Sequence, residues 1–247
     1  MDENRPPAGR QGSMTKRELK ALRRLEKLDQ QKQQNSQNSL KWIILGFGAF
    51  LFVAFFGILI FLTKQGTQTP VTLSNQGWTR GAQGAKVTLT EFGDFQCPAC
   101  KAYHPIIIGV LTAYKDKSFS LMFKHFPLTA AHKNAFLAAM AAEASGAQGK
   151  FFEMHDILYE KQGEWVELAA INARDKFISY AVELKLDQGK FIRDLTSKEL
   201  EDKIRAIQNE GINNGVSGTP TFFLNGRRIE NPKSIEDFKK LIDKELK

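Results

Sequence analysis

An uninterrupted apolar stretch near the amino terminus constrains this chain more than any other feature. Residues 42–62 carry no charged and no polar side chain, and only glycines interrupt the apolar ones. At about 1.5 Å per residue, a helix of this length matches a bilayer core of about 30 Å. A buried core helix is seldom apolar on every face over such a length. The stretch therefore predicts one transmembrane helix over residues 42–62.

The charges flanking this stretch predict its orientation. Residues 1–41 hold ten Lys and Arg against five acidic residues, whereas residues 63–85 hold only Lys64 and Arg80. An excess of Lys and Arg marks the cytoplasmic side of a membrane span. The stretch is longer than the apolar region of a cleaved signal peptide, and no A-x-A pattern follows it. We therefore expect an uncleaved signal anchor in the cell membrane, with the amino terminus cytoplasmic and the carboxy-terminal domain extracytoplasmic.

The rest of the chain divides into three zones. Residues 1–41 form a basic cytoplasmic tail that includes a charged helix. Residues 63–85 are rich in Gly, Gln and Thr, lack periodicity and predict a tether. Residues 86–247 suffice for one hydrophobic core. Of the net charge of +8, only +3 lies beyond the apolar stretch. The basic excess is a topology signal, and we expect no nucleic-acid partner.

Hydrophobic periodicity over residues 86–247 predicts the order β-α-β, a helical insertion, then β-β-α. The elements in chain order are a strand at 87–95, a helix from Pro98 to about Tyr114, a strand at 119–126, helical character over about 131–213, strands at 221–224 and 227–230, and a last helix capped by Ser234. Between the last two strands, Asn225-Gly226 favours a tight hairpin because both positions tolerate positive φ. This pattern indicates an α/β domain.

The chemistry depends on Cys97 and Cys100, the only cysteines of the chain. A purely structural disulfide between them would close a very short loop and remove only about 2 kcal/mol of unfolded-state entropy. A c-type haem site requires C-x-x-C-H, and Lys101 stands at the histidine position. A zinc site requires a second pair of ligands at matched spacing, and none follows, so we expect no metal. A redox-active dithiol is the reading that we favour.

The predicted helix start supports this reading. Cys97 precedes the helix, so its sulfur would face unpaired N–H groups and the positive end of the helix dipole. Both stabilise a thiolate, which is the attacking species in thiol–disulfide exchange. Cys100 lies one turn inside the helix, more sheltered but within reach, where it can resolve a mixed disulfide.

Three segments together resemble the DsbA-like thioredoxin-fold oxidoreductases of bacterial envelopes. They are EFGDFQCPAC at 91–100, GVSGTPTFFLNG at 215–226, and AAEASGAQGKFFEMHDIL at 141–158. The resemblance covers about residues 85–247 and implies a thioredoxin-like fold interrupted by a helical domain. It also implies that Pro220 is cis and lies beside the disulfide. The backbone of Thr219 would then pair with an extended substrate segment.

Glu91 is the candidate acid–base residue. Strand alternation places it on the apolar face of its strand, where burial raises the pKa of a carboxyl group and lets it relay the proton of Cys100. The alternative is a partly solvated carboxylate at the strand end. Asp94 and Lys124 are weaker candidates, and the competing interpretation makes them surface or hydrogen-bonded groups. Similar family members carry an acid at the position of Glu91.

The sequence departs from the strongly oxidising members of this family at Ala99. Those members have a histidine there, which donates to the thiolate, stabilises the reduced form and raises the reduction potential. Ala99 offers no such donor. We therefore expect a potential between those of thioredoxin and DsbA, between about −270 and −120 mV.

These features predict a membrane-anchored thiol–disulfide oxidoreductase that acts as an oxidase. Its partners would be reduced exported proteins, a quinone-linked membrane protein that reoxidises it, and the lipid bilayer around residues 42–62. We expect no cofactor besides the Cys97–Cys100 disulfide. One alternative is a reductase or isomerase of the same fold. Another is a tethered binding or chaperone module with a passive disulfide.

Overall fold

The structure, a computed structural model, describes residues 20, 23, 26–28, 31–32, 45–58 and 70–247. The described residues before position 59 are helical. None of the helices within these ranges has both the length and the apolar character needed to cross a bilayer. The remainder of the predicted 42–62 span lies outside the described residues, so the membrane anchor stays a prediction. Most of the predicted basic tail and the first part of the predicted tether also lie outside them.

Residues 68–247 form one compact unit built around a mixed five-stranded sheet. The strands are β1 (Trp78–Gly81), β2 (Val87–Gly93), β3 (Phe119–His125), β4 (Thr221–Leu224) and β5 (Arg227–Ile229), in the spatial order β1-β3-β2-β4-β5. β2 and β3 run parallel, and the other neighbouring pairs run antiparallel. This arrangement confirms the predicted α/β class and the order of elements from β2 onward.

Seven α-helices of the compact unit accompany the sheet. They are α1 (Pro98–Ala113), α2 (Ala135–Gly146), α3 (Phe151–Glu160), α4 (Ala170–Glu183), α5 (Gln188–Asp194), α6 (Lys198–Asn213) and α7 (Ile235–Leu246). α1 is the crossover between the parallel strands β2 and β3, and α7 packs against α1. Ser234 caps α7 as expected, because its Oγ accepts the backbone N–H of Asp237 at 3.2 Å.

The helical insertion lies between β3 and β4. Its helix α2 is buried along almost its whole length, and its many alanines allow the neighbouring helices to approach closely. α4 and α5 both fall within residues 131–213, the stretch predicted to be helical. The sequence pattern did not separate the individual helices, because the seven residues of α5 are too few for a periodic pattern to stand out.

β1 corrects the tether prediction, because residues 78–81 form an edge strand instead of a flexible link. The Trp78 ring stacks on Phe151 with ring centroids 4.6 Å apart. Its indole Nε1 also donates to Glu143 Oε1 at 2.9 Å. A four-residue strand with a single large apolar side chain carries too little pattern to be predicted, and its docking depends on partners far along the chain.

The hairpin between β4 and β5 confirms its sequence prediction. Asn225 has φ 48° and Gly226 has φ 77°, as the tight turn requires. Gly226 is needed for a second reason. The N–H of Val71 donates to the Gly226 carbonyl at 2.9 Å, and a side chain at position 226 would collide with the Val71 backbone.

Candidate redox site

The two cysteines lie at the start of α1, shortly after the carboxyl end of the central strand β2. Cys97 is the N-cap residue, Pro98 occupies the first turn, and the N–H of Cys97 donates to the Asp94 carbonyl at 3.1 Å. Proline suits this position because the first helical N–H groups have no partner within the helix. Cys97 is 7% exposed and Cys100 is fully buried. Both cysteines are therefore buried at the helix start, and of the two Cys97 retains the small exposed fraction.

The surroundings of Cys97 favour its thiolate. Its pKa falls from 9.0 to about 5, chiefly because the Cys100 thiol donates a hydrogen bond to it. The Thr219 side chain and the backbone N–H groups of Cys100 and Ala99 lower the pKa further, while partial burial opposes them. Those N–H groups belong to the first turn of α1, so the expected effect of the helix start is present.

Cys100 and Glu91 are shifted in the opposite direction. Burial raises the pKa of Cys100 well above 9.0, and its role as hydrogen-bond donor to Cys97 and the nearby charge of Glu91 raise it further. Burial, followed by the negative charge of Cys97, raises the pKa of Glu91 from 4.5 to about 8. Glu91 is 3% exposed, so it is not the partly solvated carboxylate of the alternative interpretation. At neutral pH this pair is protonated and Cys97 is a thiolate.

The loop before β4 forms the opposite wall of the site. The Thr219–Pro220 peptide bond is cis, as the family resemblance implied. Cys97 Sγ lies 3.4 Å from the Thr219 carbonyl oxygen, to which it donates only when the thiol is protonated. The Thr219 hydroxyl is buried and has no hydrogen-bond partner among the described residues, so it is available to the thiolate. The site thus joins two segments that lie 122 residues apart in the chain.

Asp94 is a buried, hydrogen-bonded residue of the active-site loop. One carboxylate oxygen accepts the N–H of Gln96 at 2.7 Å. The other accepts the N–H of Leu128 at 2.9 Å and lies 2.7 Å from His132 Nδ1. These contacts place Asp94 among the hydrogen-bonded groups that our competing interpretation anticipated. They fasten the loop to the segment after β3.

Lys124 is fully buried, but its contacts lie on the amino-terminal segment and α6 instead of at the cysteines. Its Nζ donates to the carbonyls of Ser74 and Gln76, at 2.9 and 2.5 Å, and to Glu210 Oε2 at 2.6 Å. Lys124 therefore holds residues 74–76 against the domain, part of the segment predicted as a tether. A buried amine with these partners is structural.

Two glutamines that the sequence analysis did not identify connect the active-site loop to the helical insertion. Gln96 Nε2 donates to the Val166 carbonyl at 3.0 Å, and Gln96 Oε1 accepts the N–H of Asn134 at 2.7 Å. Gln162 Nε2 donates to the carbonyls of Phe95 at 2.8 Å and Cys97 at 3.1 Å. No local signal singles out either glutamine, because each partner is distant in sequence.

A histidine cluster lies along α1 and α3, where the rings of His104 and His155 both contact Tyr159. Among the residues that the structure describes, His104, His155 and Asp156 are grouped closely enough to hold a metal ion. Both rings contact Asp156 Oδ1, and Arg80 NH1 donates to Asp156 Oδ2 at 2.9 Å. The guanidinium already neutralises the carboxylate, and a cation bound there would be repelled by it. We interpret the cluster as an ion-pair network, and the absence of a metal stays a prediction.

Comparison with known protein families identifies a match to the family described as Thioredoxin over residues 73–244. The fold is similar to two solved structures. Oxidised BdbD from Bacillus subtilis has a TM-score of 0.64 and 22% identity, and the match covers 73% of this chain and 99% of that one. Alpha-DsbA1 from Wolbachia pipientis has a TM-score of 0.61 and 22% identity, with 71% and 93% covered. At this identity the likeness shows the fold alone.

The curated relatives include proteins of two kinds. A probable disulfide bond formation protein D from Bacillus anthracis is 34% identical over 177 residues, which are 68% of this chain and 77% of that protein. A Na(+)/H(+) antiporter NhaA 1 from Salinispora arenicola is 40% identical over 157 residues, 64% of this chain. That match spans only 23% of the antiporter's length. It therefore concerns one portion of a much longer protein.

Proposed function

We propose, from the premise that this chain belongs to the DsbA-like members of the thioredoxin family, that it introduces disulfides into exported proteins. Thiol–disulfide oxidoreductase chemistry is the activity that goes with the family. The oxidative direction is our proposal. The observation that carries it is the contrast between the two sulfurs, with the pKa of Cys97 at about 5 and that of Cys100 raised well above 9.0.

The proposed reaction starts from the Cys97–Cys100 disulfide and a substrate with two thiols. A substrate thiolate attacks Cys97 Sγ, which breaks the bond to Cys100 and leaves a mixed disulfide. The second substrate thiolate then attacks the substrate sulfur of the mixed disulfide and expels Cys97 as a thiolate. The substrate loses two electrons to the cysteine pair. One proton ends on Cys100, and the other passes to solvent because Cys97 stays ionised.

The contrast between the sulfurs favours oxidation of substrate for two reasons. A thiol of low pKa leaves faster, so the accessible Cys97 is a good leaving group in the second step. Stabilising its thiolate also stabilises the reduced form of the pair, which makes the disulfide the stronger oxidant. Attack on Cys97 is favoured by exposure as well, because Cys100 is fully buried.

Glu91 is the proposed proton donor to Cys100. When Cys100 leaves Cys97 in the first step it carries a charge in a buried site, where a thiolate is costly. Glu91, with a pKa of about 8, still holds its proton at neutral pH and can release it. In the reverse step the same carboxylate would accept that proton from Cys100. A group titrating near the working pH suits both directions.

Replacing Glu91 by glutamine tests this role. In Glu91→Gln we expect the steps that protonate or deprotonate Cys100 to slow by roughly tenfold to a hundredfold. Their pH inflection near 8 should disappear, as followed by stopped-flow exchange with a model peptide. The pKa of Glu91 is higher in the folded chain than in the unfolded chain, so the folded chain binds this proton more tightly. The resulting gain in unfolding free energy is complete below pH 4.5 and is lost as the pH rises through about 8. The variant should therefore be the more stable protein above pH 8, by urea denaturation.

The exposed Glu160→Gln is the control for this experiment. It removes a carboxylate of the same type near α1, and we expect wild-type exchange rates and the inflection near pH 8. An unchanged inflection in Glu91→Gln would show that another group titrates there.

We further propose that residues 42–62 anchor the chain in the cell membrane with the catalytic domain outside the cytoplasm. The uninterrupted apolar run and the basic flank at residues 1–41 support this topology. It brings the domain to proteins as they emerge from the membrane. A quinone-linked membrane protein is the proposed source of oxidising equivalents, and no bound cofactor is required besides the cysteine pair.

The topology can be checked with a membrane-impermeant maleimide applied to intact cells. We expect the reduced protein to be labelled at Cys97 without lysis and to remain in the membrane fraction after a high-salt wash. A chain that lacks residues 42–62 should leave that fraction. Labelling only after lysis would place the domain in the cytoplasm and overturn the proposed topology.

A trapping experiment tests the proposed function directly. In Cys100→Ser the Cys97 thiolate can still attack a disulfide of an oxidised exported protein or of the recycling protein, but the chain has no second thiol to resolve the mixed disulfide, so we expect covalent adducts to accumulate in cells. Reducing agent should release them, and a Cys97→Ser/Cys100→Ser chain should form none. Adducts with exported proteins and with a membrane recycler support an oxidase. A complete absence of adducts, with Cys97 still alkylatable, would argue for a passive binding module.

A further inference from the structure

The segment that presents Cys97 is held by a donor from outside the redox motif. Gln162 is 6% exposed, and its Nε2 lies 2.8 Å from the Phe95 carbonyl and 3.1 Å from the Cys97 carbonyl. An amide NH₂ group has two hydrogens, so it can satisfy both carbonyls at once. No other described side chain donates to either of these carbonyls.

The turn carrying Gln162 is itself rigidly supported. Gln162 begins a single 3₁₀ turn after α3, and Trp165 follows it. The Trp165 ring is fully buried, and its Nε1 donates to the Leu158 carbonyl at 3.1 Å. Asn134 Nδ2 donates to the Trp165 carbonyl at 3.2 Å. We expect the Gln162 side chain, held in this way, to keep its position when the Cys97 segment moves.

The active-site segment needs this donor because it has few of its own. Pro98 has no N–H, so the peptide linking it to Cys97 offers only a carbonyl. That carbonyl accepts the N–H of Lys101 at 3.1 Å and still has a second lone pair. The Phe95 carbonyl lies before the helix and makes no helical hydrogen bond. Without Gln162, the Phe95 carbonyl would have no donor among the described residues, and the Cys97 carbonyl would keep only the N–H of Lys101.

We propose that Gln162 is a positioning residue that orients the Cys97 peptide toward the Thr219 loop and balances the carbonyl dipoles beside the sulfur. Through it the helical insertion tunes the reactivity of a cysteine that belongs to the thioredoxin core. The inference rests on the proposed function of the Cys97–Cys100 pair. It assigns part of the thiolate stabilisation to a residue 65 positions away in sequence.

Gln162→Met tests the proposal, because methionine fills a similar volume without donating. We expect the rate of Cys97 alkylation at pH 5 to fall roughly threefold to tenfold, as the loss of buried hydrogen bonds to carbonyls near the thiolate implies. The reduction potential in a glutathione buffer should become more negative, because the reduced form loses stabilisation. Thiolate absorbance against pH gives the pKa of Cys97 directly.

Gln148→Met is the matched control. Gln148 also belongs to the helical insertion, and its side-chain amide also bonds backbone groups: Nε2 donates to the Asp187 carbonyl at 3.2 Å, and Oε1 accepts the Asp187 N–H at 2.9 Å. Its loss can lower stability, but we expect no change in the pKa of Cys97 or in the potential. A general effect of weakening the insertion would move both variants alike and would contradict the positioning role.

A measurement on the wild-type chain keeps the proposal testable if Gln162→Met does not fold. The Gln162 side-chain amide hydrogens should exchange slowly with solvent in ¹⁵N spectra, and their shifts should change when Cys97 is oxidised. Rapid exchange, or a folded Gln162→Met with wild-type pKa and potential, would overturn the inference while leaving the enzyme active. A wild-type chain without a reactive Cys97 would instead remove the proposed function itself.

Discussion

A Cys97→Ala protein is expected to lose all catalysed disulfide formation while keeping its fold. The reaction requires a sulfur at this position to form the mixed disulfide, and no other described group can replace it, since Cys100 is fully buried. We expect the rate of oxidative refolding of a reduced model protein to fall at least about a thousandfold, to the uncatalysed background. Insulin turbidity or the return of activity in a scrambled client would follow the reaction.

The fold should survive because alanine keeps the Cβ of Cys97 in its hydrophobic cluster and removes only the sulfur. The Cys100 thiol and the Thr219 hydroxyl lose a partner, but both are uncharged, so the cost is small. Circular dichroism and the urea midpoint should change little. If the variant kept its effect on client aggregation and the wild type showed no catalysis, the chain would be a binding module with a passive disulfide.

Cys100→Ala distinguishes the roles of the two sulfurs and serves as the control. It also lacks turnover, but it keeps a Cys97 thiol that reagents can alkylate. Because the hydrogen bond from Cys100 is the chief cause of the lowered pKa of Cys97, that pKa should rise in this variant. Unchanged alkylation at pH 5 would mean that the helix start and Thr219 stabilise the thiolate without Cys100.

Lys124→Met is expected to cost about 3–5 kcal/mol of unfolding free energy, the usual effect of removing one partner of a buried ion pair. The substitution leaves the Glu210 carboxylate without its cation and the carbonyls of Ser74 and Gln76 without a donor. Lys124 is fully buried, so water cannot readily replace the amine. Urea denaturation of the isolated compact unit, residues 68–247, would measure the loss.

Two further variants show whether the loss comes from the buried charge. Lys124→Met/Glu210→Gln removes both charges and should recover part of the stability, because no unpaired carboxylate remains. Lys198→Met removes an exposed lysine that pairs with Asp202 on α6, and should change stability by less than about 0.5 kcal/mol. If Lys124→Met were as mild as Lys198→Met, residues 74–76 would not be held as the contacts indicate. The flexible part of the tether would then extend closer to β1.

Several structural features of this protein could be predicted from local sequence. The apolar run at residues 42–62 predicts the membrane anchor, and Cys97-Pro98 predicts the helix start that the structure confirms. Asn225-Gly226 predicts the hairpin, which is also present. Each of these features depends on neighbouring residues, because hydrophobic periodicity, proline at a helix start and positive φ act over a few positions. Such preferences can therefore be predicted from a single sequence.

Only the tertiary structure decided which distant groups meet at the sulfurs. Thr219 comes to Cys97 because β4 pairs with β2, and Gln162 reaches the same segment because the helical insertion packs over it. The buried roles of Lys124 and Trp78 likewise depend on partners far along the chain. Local sequence does not encode such contacts, because they arise only when separate hydrophobic faces pack together and bring the partners of each buried polar group within reach.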